Sequence, residues 1–201
     1  MNHLKLLAPK TLWVCMTLAI GAVSSTALAQ APYPNKPVTL VVTYPPGGGA
    51  DAMARLIAPK MGEALGQPIV IENKPGAGGQ IGAAAVAKAA PDGYTLMLDA
   101  SSFSVNPSLY PKLPYDSMKA FKPIGVVALF PNVVLVNANF SAKNIAELVA
   151  AARQNKDAVS YASSGNGSAQ HLAGALFESA AKVDMVHVPY KGGGPALNDV
   201  I

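Results

Sequence analysis

The stretch Pro45-Pro46-Gly47-Gly48-Gly49-Ala50-Asp51 constrains this chain more than any other. Before it runs Val38-Thr39-Leu40-Val41-Val42-Thr43-Tyr44, a β-branched apolar run with the length of one buried strand. After it, Met53, Leu56, Ile57, Met61 and Leu65 recur at helical spacing, and Gly66 supplies a C-terminal stop. The glycines therefore join the carboxyl end of a strand to the start of a helix, which is where open α/β sheets take ligands. Three glycines leave the backbone N–H groups uncovered, and the helix N-terminus adds partial positive charge. Such a loop suits an anion held close to the main chain.

The same logic repeats along the chain. Pro68 to Glu72 reads as a second strand, and Asn73 to Gly79 as a second glycine-rich loop opening onto a helix over Gln80 to Ala90. Tyr94 to Leu98 is a third strand with Ser101 and Ser102 at its carboxyl end. This β-α-β-α-β order predicts a parallel sheet. Pro59 should kink or interrupt the first helix. From Phe103 to Pro123 four prolines space out what reads as an irregular connection, and Ile124 to Leu129 and Val133 to Val136 read as strands broken by Pro131-Asn132. That break is the expected crossing between lobes.

In the second half, Asn144 to Glu147 is a capping box opening a helix to about Asn155. Val159 to Ala162 is a strand, Ser163 to Ser168 its loop, and Ala169 to Ala181 the next helix. Met185 to Val188 is a further strand, and Tyr190 to Gly194 leads to a helix start at Pro195. Four loops rich in glycine or serine should line the carboxyl edges of two parallel sheets.

Met1 to Lys10 carries Lys5 and Lys10 and no acid, and is followed by an apolar run to Val23 and by Ala27-Leu28-Ala29. This is a secretory signal peptide over 1–29, cleaved after Ala29, with an apolar core too short to span a membrane. Cys15, the one cysteine, leaves with it, so the mature chain has no disulfide and no thiol nucleophile. A periplasmic protein is expected. The net charge of +4 falls to +2 without Lys5 and Lys10; the remaining basic residues are scattered, which excludes nucleic acid as a partner class.

Other chemistries fit less well. Gly47-x-Gly49-x-x-Ala52 matches a relaxed dinucleotide fingerprint, with Glu72 following 25 residues after Gly47. Against it, Pro45 and Pro46 remove two N–H donors where the strand turns, and the second half has no such motif. No loop carries the Lys-Ser/Thr of a P-loop. Ser168 and His171 lie three apart at a helix start without Gly-x-Ser-x-Gly, which reads as a helix cap with a polar neighbour. His187 lies within a strand and reads as structural. Two mature histidines, no cysteine and no clustered acids leave no metal site or cofactor to expect. Asp51 either favours the first turn of its helix or reads a donor on the ligand.

Tyr33-Pro34-x-Lys36-Pro37-Val38, Pro45-Pro46-Gly47-Gly48-Gly49-x-Asp51 and Ala64-Leu65-Gly66-Gln67-Pro68 resemble successive signatures of one family. So do Glu72 to Gly79, Ala90-Pro91-Asp92-Gly93-Tyr94-Thr95-Leu96, Tyr161 to Gly165 and His187-Val188-Pro189-Tyr190-Lys191-Gly192. Together they are similar to the substrate-binding receptors of tripartite tricarboxylate transporters, the Bug family. The resemblance implies a two-lobe α/β fold of the periplasmic-binding-protein type II, each lobe a mainly parallel sheet flanked by helices. It further implies a monomeric receptor that delivers a small organic carboxylate to the membrane components of such a transporter, with no chemistry on the ligand. Family ligands include di- and tricarboxylates, acidic amino acids and aromatic carboxylates. The residues implicated are Tyr44, Pro45, Gly47, Gly48, Gly49 and Asp51 in the first lobe, with Gly78 and Ser101 nearby. Ser163, Ser164, Gly165 and Tyr190 answer from the second.

The lobes would run over 30–131 and 132–201, the second of them incomplete, because family members continue beyond Ile201. The expectation is a truncated receptor with no measurable carboxylate binding by itself. The other function class open to such a chain is a periplasmic enzyme acting on a small carboxylate.

Overall fold

Strand β1 (Val38–Val42) is the buried centre of a three-stranded parallel sheet. It pairs on one side with β2 (Ile69–Asn73), Leu40 facing Ile71, and on the other with β3 (Thr95–Leu98), Leu40 facing Leu96. Being central, β1 is apolar on both faces, whereas β2 alternates partly buried and exposed residues as an edge strand does. The computed structural model describes residues 32–154 and 159–201, of which 34–201 form one compact unit. The expected leader and its cleavage after Ala29 lie outside the described residues.

Helix α1 (Gly49–Leu65) follows β1 directly and lays Asp51, Ala54 and Ala58 against the sheet. Gly66 ends it in the left-handed conformation, φ +69°. Contrary to expectation, Pro59 does not interrupt this helix. Pro59 is on the exposed face, where water can serve the Arg55 carbonyl that loses its partner, so the bond forfeited is the cheapest one. A single 3₁₀ turn (Ala77–Gly79) precedes α2 (Gln80–Ala87), which stops three residues earlier than the sequence suggests.

The connection expected to be irregular after β3 opens with a helix, α3 (Ser102–Leu109), despite Pro107. Tertiary contacts decide this. Asn106 is fully buried and its Nδ2 donates to Gly78 O at 2.9 Å, while Phe103 packs edge-on against Phe121 at 5.1 Å.

The largest departure lies at 124–136. Neither Ile124–Leu129 nor Val133–Val136 is a strand, and Ile124 and Leu129 are 85% and 90% exposed. A strand exists only where a neighbour takes its N–H and C=O groups, and among the described residues none takes those of this segment.

The second sheet pairs β4 (Ser160–Ser163) with β5 (Val186–Pro189), again in parallel. Helix α4 (Ile145–Gln154) begins at the expected capping box: Glu147 N donates to Asn144 Oδ1 at 2.9 Å, and Lys143 N to Glu147 Oε2 at 2.7 Å. Helix α5 (Ala169–Ala181) spans the residues read from the sequence, and α6 (Gly193–Val200) closes the chain. Two cores result. Leu40, Val42, Ala54 and Leu98 form the first, and Ala142, Leu148, Ala152, Val159 and Val183 the second. Among the described residues no helix is long and apolar enough to cross a membrane.

Candidate functional site

The loop between β1 and α1 is held from below by Asp51. Its Oδ2 accepts from Gly47 N at 3.0 Å and from Arg55 Nε at 2.8 Å, and its Oδ1 from Asn73 Nδ2 at 2.9 Å. Asn73 Nδ2 also donates to Tyr44 O at 3.0 Å. The Arg55 hydrogen bond, helped by those from Gly47 and Asn73, holds the Asp51 carboxyl down at about 2. Asp51 is only 3% exposed, so both its oxygens are committed within the first lobe. Gly47 takes φ +82°, turning the chain so that Gly48 and Gly49 start the helix. Among the described residues, the N–H groups of Gly48 and Gly49 have no hydrogen-bond partner, although Gly48 is buried.

Tyr44 lies behind this loop, its Oη 2.8 Å from Ser102 Oγ. Ser102 donates its proton to Asp99 Oδ1 at 2.8 Å, so Tyr44 must donate to Ser102. Ala100 N is a second donor to the same Asp99 oxygen, at 2.6 Å. Burial pushes the Asp99 carboxyl above its ordinary value, offset in part by the Ser102 bond. Asp99 Oδ2, Thr43 Oγ1 and Asn106 Oδ1 are buried and without a partner among the described residues. All three lie within 3.4 Å of where a Cβ on Gly78 or Gly79 would sit. Ser101 starts α3 with its carbonyl, which accepts from Ser104 N at 3.1 Å, and its side chain is exposed. Asp99, Ser102 and Asn106 are thus site neighbours that the sequence reading missed. Only the serine pair at the strand end gave a signal.

In the second lobe, the 163–168 loop is tied to its own sheet. Ser163 Oγ accepts from Gly165 N at 3.2 Å and lies 2.7 Å from His187 Nε2. Ser164 Oγ donates to Gln170 Oε1 at 2.8 Å. Ser168 caps α5, accepting from His171 N at 3.3 Å, while Gly167 N donates to His171 Nδ1 at 3.1 Å. Tyr190 N donates to Ser163 O at 3.0 Å, joining the fourth loop to this one, and Tyr190 Oη donates to Asp199. Ser163 beside His187 has the contact of a nucleophile and its base. Ser163 is 1% exposed and bonded within its own loop, which gives it the geometry of a brace.

The loops of the two sheets meet. A Cβ on Gly192 would stand 2.5 Å from Pro45 Cγ, and one on Gly194 3.6 Å from Gly47 O. A Cβ on Gly78 would stand 3.2 Å from Asn166 O, and one on Gly167 2.7 Å from Leu109 Cδ1. The structure therefore brings together Pro45, Gly47 and Gly78 with the loops bearing Gly165 and Tyr190. It keeps Asp51 and Tyr44 inside the first lobe and Ser101 on its surface. Open depressions elsewhere, one of about 560 Å³ beside Arg153, Glu178 and Lys182, lie away from these loops. Among the described residues, no group of three or more His, Cys, Asp or Glu side chains is placed to hold a metal ion.

Comparison with known proteins agrees with this arrangement. The chain is 41% identical over 186 residues to a Pseudomonas sp. (strain P51) protein encoded in the tcbD-tcbE intergenic region, and 38% identical over 189 residues to BugT of Bordetella pertussis. These alignments cover 92% and 90% of the chain but 55% and 58% of the relatives, so the chain spans little more than half their length. Among solved structures, R. palustris Rpa4515 with adipate superposes with a TM-score of 0.81 at 38% identity, covering 84% of this chain and 56% of that one. MatC (Rpa3494) of Rhodopseudomonas palustris with bound malate gives 0.74 at 36%, covering 84% and 57%. Two lobes of parallel sheet flanked by helices, meeting through glycine-rich loops, are the periplasmic-binding-protein fold, and a family model matches residues 53–201. The chain belongs to the TctC family, the receptors of tripartite tricarboxylate transporters.

Proposed function

We propose that this protein is a periplasmic receptor that holds a small organic carboxylate between its lobes and passes it, unchanged, to the membrane components of a tripartite tricarboxylate-type transporter. It works as a monomer and is exported with removal of residues 1–29. The observation that carries this reading is the pair of unpartnered N–H groups, Gly48 and Gly49, at the start of α1. They lie in the loop that the 192–194 segment approaches from the other lobe. A carboxylate is the ligand that such donors and a helix N-terminus favour, and the adipate and malate bound by the two R. palustris proteins support the class. In this reading Asp51 acts through Gly47, holding the loop open, and Ser163, Ser164, Gly165 and Tyr190 shape the opposite wall.

A charge-assisted hydrogen bond contributes about 1.5–3 kcal/mol, and association costs take back several kcal/mol. Two to four such bonds give a dissociation constant on the order of 1 mM, about −4 kcal/mol. Titration of ¹⁵N-labelled protein with malate and with adipate should shift the Gly48, Gly49 and Gly192–Gly194 amide resonances together, with the acid recovered intact. Saturating either acid without moving the Gly48 and Gly49 amides would refute the reading.

A further inference from the structure

His171 and His187 lie outside the residues proposed to touch ligand, yet both hold the loop that does. His171 is in the first turn of α5 and His187 in β5. Their rings stack with centroids 4.0 Å apart and planes 14° from parallel, and Tyr161 of β4 stacks on His187 at 4.9 Å. Each ring takes one point of the 163–168 loop. His187 Nε2 is bonded to Ser163 Oγ, which accepts from Gly165 N, while His171 Nδ1 accepts from Gly167 N. Gly165 and Gly167 take φ of +130° and +76°, conformations with no preference of their own, so the bonds select them. This is the loop that meets Gly78 and Leu109 of the first lobe.

The contact at His171 has one polarity only. Because Nδ1 accepts from a backbone N–H, the ring proton is on Nε2. A side chain without an acceptor at this position would leave the buried Gly167 N–H unpaired. The other groups around the pair are few. Glu178, also on α5, favours a proton on His187, whereas burial and His171 oppose it and hold His187 below its ordinary value. Tyr161 and Ser163 are neutral, and the first-lobe side chains near Gly167 are Leu109, Val105 and Asn106.

We propose that His171 and His187 are positioning residues that hold the 163–168 loop in its ligand-ready form, His171 by accepting from Gly167 N and His187 through Ser163 Oγ, so that losing the acceptor at position 171 weakens carboxylate binding. The proposal rests on the loop being a wall of the carboxylate site, as argued above.

Two readouts separate the brace from the function. Without ligand, the hydrogen-exchange protection factor of the Gly167 amide should fall at least about tenfold in H171L. It should stay within about twofold of wild type in H171N, whose Oδ1 keeps an acceptor in place. With adipate as probe, affinity should fall about fivefold in H171L. In the H171N/H187Q double variant, where the new side-chain amide at position 187 still reaches Ser163, the fall should be less than about twofold. Gly167 protection unchanged in H171L, or an equal loss of affinity in the double variant, overturns the proposal. Failure of adipate and malate to bind removes the carboxylate reading instead, and Gly167 protection then still decides whether the histidines brace the loop.

Discussion

Replacing Asp51 by alanine tests how the first loop is held. Three donors converge on this carboxylate, from Gly47, Arg55 and Asn73. Truncation leaves the Gly47 N–H and one Asn73 N–H unpaired, and a buried unsatisfied donor costs about 1–3 kcal/mol. The Arg55 side chain is 57% exposed and returns to water, so its ion pair adds little. With partial hydration of the freed donors, Asp51→Ala should cost about 2–4 kcal/mol. At a urea slope of roughly 2 kcal/mol per molar, the midpoint should fall by about 1–2 M. Arg55→Ala should shift the midpoint far less than Asp51→Ala does. The carboxyl is held below its ordinary 3.8, at about 2, so its contribution is complete above pH 3.8 and disappears as the pH falls through 2. The wild-type and Asp51→Ala stabilities should therefore converge in strong acid. A midpoint shift below about 0.3 M with a loss of carboxylate affinity would refute this account and make Asp51 a reader of the ligand instead.

Gly48→Ala should leave the fold intact, since its Cβ would meet only Pro45 O, at 3.7 Å, but weaken malate or adipate binding by at least about tenfold, or 1.4 kcal/mol; calorimetry or amide titration reads this directly. Asp99→Asn should raise stability at pH 7, because it removes a buried charge. The carboxyl is pushed above 3.8 by burial, so the wild-type penalty is absent below pH 3.8 and grows as the pH rises through the folded value. Urea melts at pH 7 and pH 3.5 should show the gain only at pH 7. Export should yield a periplasmic form whose intact mass places Gln30 at the N-terminus; the full leader retained on a membrane-bound form would contradict it.

Local signals were legible in the sequence wherever they are complete within a few residues. The Gly66 stop, the Asn144–Glu147 box and the Ser168 cap each satisfy a helix end with adjacent atoms, and each is where the sequence places it. Helix α3 was hidden because Pro107 argues against it and the Asn106–Gly78 bond that secures it joins residues 28 apart. Residues 124–136 have the β-branched composition of strands and no ladder partner, since composition reports fitness for a sheet and says nothing of what lies alongside. The site divides in the same way. Glycine loops are readable as uncovered backbone, whereas the Asp99 chain and the histidine stack exist only through contacts between strands and helices far apart in sequence.

The two cores draw on separate parts of the chain. The buried residues of the first lie between Leu40 and Leu98, and those of the second between Ala142 and Val183. A chain emerging N-terminus first can therefore finish one core before the other exists. The early half would wait with its sheet already closed on both sides of β1, presenting the 45–49 and 76–79 loops as a fixed surface. The later half would then fold against a template rather than alongside a partner.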